Sequence, residues 1–114
     1  MRVEVIQDKI AIVRVHENVE MSEIGKLRTA IEEAFRLSPK GFIIDLSEVE
    51  YIDSAGISSL VFAYRKLTAA GGKLAVIAVH NNVKRVLKIT RLDALPDLFI
   101  YDNIPNAELM LEAA

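Results

Sequence analysis

The sequence predicts an α/β fold, a mixed β-sheet packed with about four α-helices in one domain over residues 1–114. Three observations carry that prediction. Two short apolar runs open the chain, and helix-like and strand-like patterns then alternate to its end. The length of 114 residues is that of one domain, since domains typically run about 100–150 residues. The composition, 52% hydrophobic and 26% charged, supplies a core and argues against disorder.

Met1 to Val5 and Lys9 to Val15 read as strands, joined by the short polar turn Gln7-Asp8-Lys9 as an antiparallel hairpin. Ser22 has the chemistry of a helix N-cap, with Glu23 in the first turn. Ile24, Leu27, Ile31, Ala34 and Phe35 recur at helical spacing to about Leu37, and Ser38-Pro39-Lys40-Gly41 stops that helix. Phe42 to Leu46, interrupted only by Asp45, reads as a buried central strand.

Ala55 to about Ala70 is the next helix, with Ile57, Leu60, Val61, Tyr64 and Leu67 expected as its inward stripe. Gly71-Gly72 ends it. Leu74 to Val79 is a second buried strand. Asn81 or Asn82 is expected to cap a third helix to about Thr90, with Val83, Val86 and Leu87 inward. Leu98 to Tyr101 is a last strand and Asn103 to Glu112 a last helix, with Pro105 tolerated in its first turn.

Several classes of function are excluded. Cysteine is absent, which removes disulfides, thiolate nucleophiles and Cys-based zinc sites. Two histidines far apart, His16 and His80, make no His-rich metal cage, and no cofactor is expected. The net charge of -2 gives no electrostatic reason to expect nucleic acid or an anionic membrane as partner. No apolar run approaches the roughly 20 residues that span a bilayer. Met1 to Val5 alternates charged and apolar residues and is no signal peptide, so the chain reads as cytoplasmic.

Enzyme readings fail on their motifs. Gly56-Ile57-Ser58-Ser59-Leu60 lacks the second glycine of a nucleophile elbow. Neither phosphate-binding glycine fingerprint is present, and Gly71-Gly72 follows a helix, the wrong order for either. His80 reads as a surface or capping residue. Lys84, Lys88 and Arg91 form an outward stripe that reads first as a solvated helix face and second as a surface for nucleic acid or an acidic partner.

The most informative segment runs from Asp45 to Gly56, leaving a central strand and entering a helix at Asp53-Ser54. Function in open α/β sheets tends to lie beyond the carboxyl ends of the strands. A phosphoryl group on Ser54 would add about 1.5 to 2 negative charges at a helix start, which the fold tolerates and an apolar or acidic partner does not. The competing reading is plain: Asp and Ser are ordinary helix-start residues, and Gly56 allows close packing. Phe62 carries two readings as well. With Ser58, Ser59, Arg65 and Lys66 it falls on the face opposite the expected stripe, so it is either covered by a neighbouring element or anchors a partner beside Ser54.

The run Ile44-Asp45-Leu46-Ser47 and Tyr51-Ile52-Asp53-Ser54-Ala55-Gly56-Ile57 resembles the signature of the anti-sigma factor antagonists, the STAS domain family. Gly71-Gly72-Lys73-Leu74, Val83-Lys84-Arg85-Val86-Leu87 and Leu92-Asp93 leading to Leu98-Phe99 extend the resemblance over nearly the whole chain. It implies a non-enzymatic switch. The unmodified protein binds an anti-sigma factor serine kinase and frees the sigma factor; phosphorylation of Ser54 ends that complex, and a serine phosphatase restores it. The contact set expected around Ser54 is Glu20, Asp53, Ala55 and Gly56, from the loop and motif of the resemblance, together with Ser58 and Phe62 from the helix-face reading. The family also implies an alternative, a non-switching scaffold subunit of a stress-signalling or transport complex.

Two segments depart from the family pattern. Glu17-Asn18-Val19-Glu20 replaces a turn that commonly carries glycine and ends in aspartate, and Arg91 stands where a glycine commonly precedes the leucine.

Overall fold

A computed structural model describes residues 2–7, 9–16, 18 and 24–113. Its elements are β1 (Val3–Gln7), β2 (Ala11–Val15), α1 (Ile24–Leu37), β3 (Gly41–Asp45), α2 (Ser54–Ala69), β4 (Lys73–Ile77), α3 (Asn81–Ile89), β5 (Leu98–Tyr101) and α4 (Ile104–Ala113). The expected order holds, with boundaries moved by one or two residues. The expected N-cap Ser22 lies outside the described residues. A short 3₁₀ turn, Leu92–Ala94, was not anticipated.

The five strands lie in sequence order, β1-β2-β3-β4-β5. β1 and β2 are antiparallel, Val5 opposite Val13, and every later pair is parallel, as in Ile44 opposite Val76. Crossovers of one hand that step steadily in one direction leave their helices on one face. There Val13, Phe42, Ile44, Leu74 and Val76 pack with Leu27, Ile31, Leu60, Leu67, Val83 and Leu87 of α1, α2 and α3. On the opposite face, among the described residues, α4 covers Ile43, Ala75 and Ile77 through Ala107 and its neighbours.

β3 is the middle strand and is buried throughout, as expected of Phe42 to Leu46. Its one acid, Asp45, is only 3% exposed. A buried carboxylate is tolerated only when its oxygens find donors. Arg14 Nε donates to one at 3.1 Å and the Ser47 N–H to the other at 2.9 Å.

Three details correct the expectations. The buried line of α2 is Gly56, Ser59, Leu60, Ala63 and Leu67, while Ile57, Val61 and Tyr64 are half-buried on its flank. α2 packs against both the sheet and α1, and small side chains at Gly56, Ser59 and Ala63 allow the close approach. Ser59 is therefore inward; its hydroxyl donates to the Ala55 carbonyl at 3.2 Å. In α3, His80 occupies the N-cap without a side-chain capping bond, Asn81 already belongs to the helix, and Asn82 accepts from Arg85 at 2.8 Å.

The end of α2 fulfils its sequence signal. Gly71 adopts a left-handed backbone (φ 76°), and the Gly72 N–H returns to the Leu67 carbonyl at 2.7 Å. A Cβ on Gly72 would lie 2.8 Å from the Lys40 carbonyl oxygen, so the second glycine is required by close approach.

Candidate functional site

The parallel strands β2, β3 and β4 point their carboxyl ends the same way, and the chain leaves β3 there through residues 46–53 into α2. That loop is held at both ends. Asp45 takes the Ser47 N–H at its start. At its end Asp53 is the N-cap of α2, its extended backbone (φ -98°, ψ -173°) turning the carboxylate onto the Gly56 N–H at 3.0 Å. Between them Val49 and Ile52 are buried and hold the loop to the core.

Ser54 is the first residue of α2 and is exposed. Ser58, one helical turn on, is exposed too, so the two hydroxyls share a ridge. Ala55 is half-buried beside it. Gly56 is buried, so it enters the site through its N–H alone, already taken by Asp53. Glu20 lies outside the described residues.

Phe62 is covered in part, as the first of its two readings expects. It is half-buried against the core, and a neighbouring helix does cover part of it. The Arg28 guanidinium of α1 lies 5.0 Å from the ring centroid, and Lys66 lies at 5.7 Å, both within cation–π range. Arg28 also donates through Nη2 to Ser58 Oγ at 3.2 Å. It therefore binds α1 to α2 along the ridge that starts at Ser54.

Sequence reasoning missed three contributors. Tyr51 is 58% exposed in the loop just before Asp53, an aromatic side chain offered to solvent beside Ser54. Asn18 Oδ1 accepts from both the Glu50 and Tyr51 N–H groups, at 3.0 and 3.1 Å, and so joins the β2–α1 segment to the Ser54 loop. His16 is the third: its side chain is 12% exposed, with Nδ1 3.0 Å from Glu48 Oε2 and Nε2 2.8 Å from Glu4 Oε2. The His16 contact, with minor help from Arg2 and Arg14, holds the Glu4 carboxyl below its ordinary value despite an opposing desolvation effect. The asparagine stands in the very turn whose sequence departs from the family pattern, which is the one signal that pointed there.

A cavity of about 370 Å³ lies on the α4 side of this end, between the Arg14–Asp45 pair, Glu48 and the start of α4 at Ile104. Of its charged groups, Arg14 pairs with Asp45 at 3.1 Å, Glu48 with His16 at 3.0 Å and Asp102 with Lys84 at 3.3 Å. Among the described residues no three His, Asp or Glu side chains gather as a metal-binding group. This end presents an exposed hydroxyl at a fixed helix start, flanked by an exposed Tyr51 and a half-buried Phe62.

Comparison with known proteins agrees with that geometry. The STAS domain model matches residues 2–107. An anti-sigma F factor antagonist of Paenibacillus polymyxa is 28% identical over 104 residues, covering 90% of this chain and 87% of that protein. The crystal structure of an anti-sigma factor antagonist from Mycobacterium paratuberculosis superposes with a TM-score of 0.83 at 28% identity, over 97% of this chain and 93% of the other. An anti-sigma-factor antagonist (STAS) domain protein from Planctomyces limnophilus shares the fold with a TM-score of 0.85 at 20% identity, over 96% and 97% of the two chains. With its fold and nearly its whole length matched, the chain belongs to the STAS domain family of anti-sigma factor antagonists.

Proposed function

We propose that this protein is an anti-sigma factor antagonist controlled by phosphorylation of Ser54. In its unmodified state it binds an anti-sigma factor that is also a serine kinase, and the sigma factor is released. The kinase transfers the γ-phosphoryl group of ATP to Ser54 Oγ, leaving ADP and a proton. The product no longer binds tightly, and a serine phosphatase hydrolyses the phosphate to restore the hydroxyl. On this reading residues 1–114 are one binding module acting in the cytoplasm of a bacterium, with no reaction of its own.

The observation that supports the reading best is the exposure of Ser54 at a helix start whose N-cap carboxylate is already fixed by Gly56 N–H. A phosphate at Ser54 is chemically tolerable to the fold, because it projects from an exposed position. It also sets about 1.5 to 2 negative charges beside the Asp53 carboxylate, in the middle of the surface a partner would cover. Asp53, Ala55, Ser58 and Phe62 form the contact set with Tyr51, and Glu20 belongs to it through the family resemblance. Charge placed inside an interface opposes binding by repulsion and by uncompensated desolvation.

Variants of Ser54 test this directly. Ser54→Ala is expected to keep kinase binding and Ser54→Asp to weaken it by at least about tenfold, the equivalent of 1.4 kcal/mol. Equal affinities for the two variants, measured by calorimetry with the ATP-loaded kinase, would defeat the charge mechanism.

A further inference from the structure

We propose that Arg28 is a phosphate latch: once Ser54 is phosphorylated, the Arg28 guanidinium leaves Ser58 and the Phe62 ring and pairs with the phosphate. This inference deepens the function proposed above and rests on Ser54 being the modified residue. Four observations carry it. Arg28 already crosses from α1 to α2 and ends on the exposed ridge, 3.2 Å from Ser58 Oγ. Ser54 is exactly one turn before Ser58 on the same ridge, and residues so spaced have Cβ atoms about 5–6 Å apart. A phosphate extends further from the helix than a hydroxyl, and an arginine side chain spans the remaining gap by changing rotamers. Finally, Asp53 already holds the Gly56 N–H at the helix start, and its carboxylate repels a phosphate placed beside it.

The exchange follows from relative strengths. A hydrogen bond from a guanidinium to a neutral hydroxyl is weaker than a paired, charge-assisted contact with phosphate. The cation–π contact with Phe62 is partly solvated and so modest. Arg28 is therefore drawn to the stronger anion when it appears. Two consequences follow together. The phosphate becomes a tie between α1 and α2, and Phe62 loses the planar group that covers one side of its ring. The surface offered to a partner changes in shape as well as in charge. Lys66 does not replace Arg28 in this role, because it lies over both Phe35 and Phe62, farther down α2.

The test uses the full chain with phosphoserine installed at position 54 during synthesis, and reads the second ionisation of the phosphate by phosphorus NMR. A nearby guanidinium favours the dianion, so wild type is expected to ionise about half a unit lower in pH than Arg28→Gln. Arg28→Lys should fall between them, and Lys66→Gln should match wild type. The same value in wild type and Arg28→Gln would overturn the latch, as would an equal effect of Lys66→Gln. The wild-type chain alone gives a second reading should a variant fold poorly. The Arg28 Nε–H resonance is expected to shift with the same midpoint as the phosphorus signal, and an arginine resonance that ignores the phosphate would also overturn the proposal. No kinase is needed. Failure of the latch is thus distinct from failure of the switch, in which phosphorylated and unmodified chains would bind the kinase equally.

Discussion

Arg91 holds a left-handed backbone, φ 61° and ψ 22°, between α3 and the 3₁₀ turn. That conformation costs an L-residue about 1–2 kcal/mol, and glycine is the residue that adopts it freely. The family commonly has glycine here, and the dihedral angles give the reason. Arg91→Gly is expected to stabilise the protein by about 0.5 kcal/mol, since relief of the backbone exceeds the extra flexibility glycine gives the unfolded chain. Thermal unfolding should rise by roughly 2 °C; a fall would mean that the arginine side chain contributes more than its backbone costs. At this scale the sequence was most legible where chemistry is local. A helix start at Asp53-Ser54 and a stop at Gly71-Gly72 depend on near neighbours in the chain, and both are legible there; that Asp53 is the cap itself comes from the structure. The exposure of Tyr51 and the double bond to Asn18 depend on two loops meeting across more than thirty positions, and no local pattern encodes that.

Among the elements, α2 shows the limit of periodicity. Hydrophobic residues alone pointed its stripe through Ile57, Val61 and Tyr64, yet the buried line passes through Gly56, Ser59 and Ala63. A helix wedged between a sheet and another helix is buried on more than one side, and its closest contact selects for small residues rather than greasy ones. The rotation matters for the site, because it leaves Ser54 and Ser58 outward and brings Phe62 against Arg28. A second link between elements runs through His16, which joins Glu4 of β1 to Glu48 of the loop that leads to Ser54. The Glu4 carboxyl is held low chiefly by that histidine. A lowered carboxyl stabilises the fold fully above its unfolded value, and the contribution fades as pH falls through the folded value. His16→Gln is accordingly expected to raise the Glu4 pKa toward that of an ordinary glutamate, read by carboxyl NMR titration, and to weaken the acid-side dependence of stability. An unchanged Glu4 titration would show that the contact is incidental.

At the scale of the molecule, strand order and helix placement divide the labour. Among the described residues three helices bury one face of the sheet and α4 the other, and Ser54 lies exposed outside both core clusters. The hydroxyl is free to change chemically because the core does not use it. The alternation of strands and helices made this architecture readable from sequence, and the Asp53-Ser54 motif marked the end where the proposed site lies. The connection between them, a loop tied at Asp45, Asn18, His16 and Asp53, emerged only when β2, β3 and the start of α2 were brought together. The central claim is that charge on this one hydroxyl controls partner binding. Calorimetric titration of the ATP-loaded anti-sigma factor kinase with the unmodified chain and with the chain carrying phosphoserine at position 54 tests it most directly. The account predicts tight binding of the first and a loss of about a hundredfold or more for the second, close to 2.7 kcal/mol. Equal affinities would contradict it and leave Asp53-Ser54 as a helix start on a constitutive scaffold.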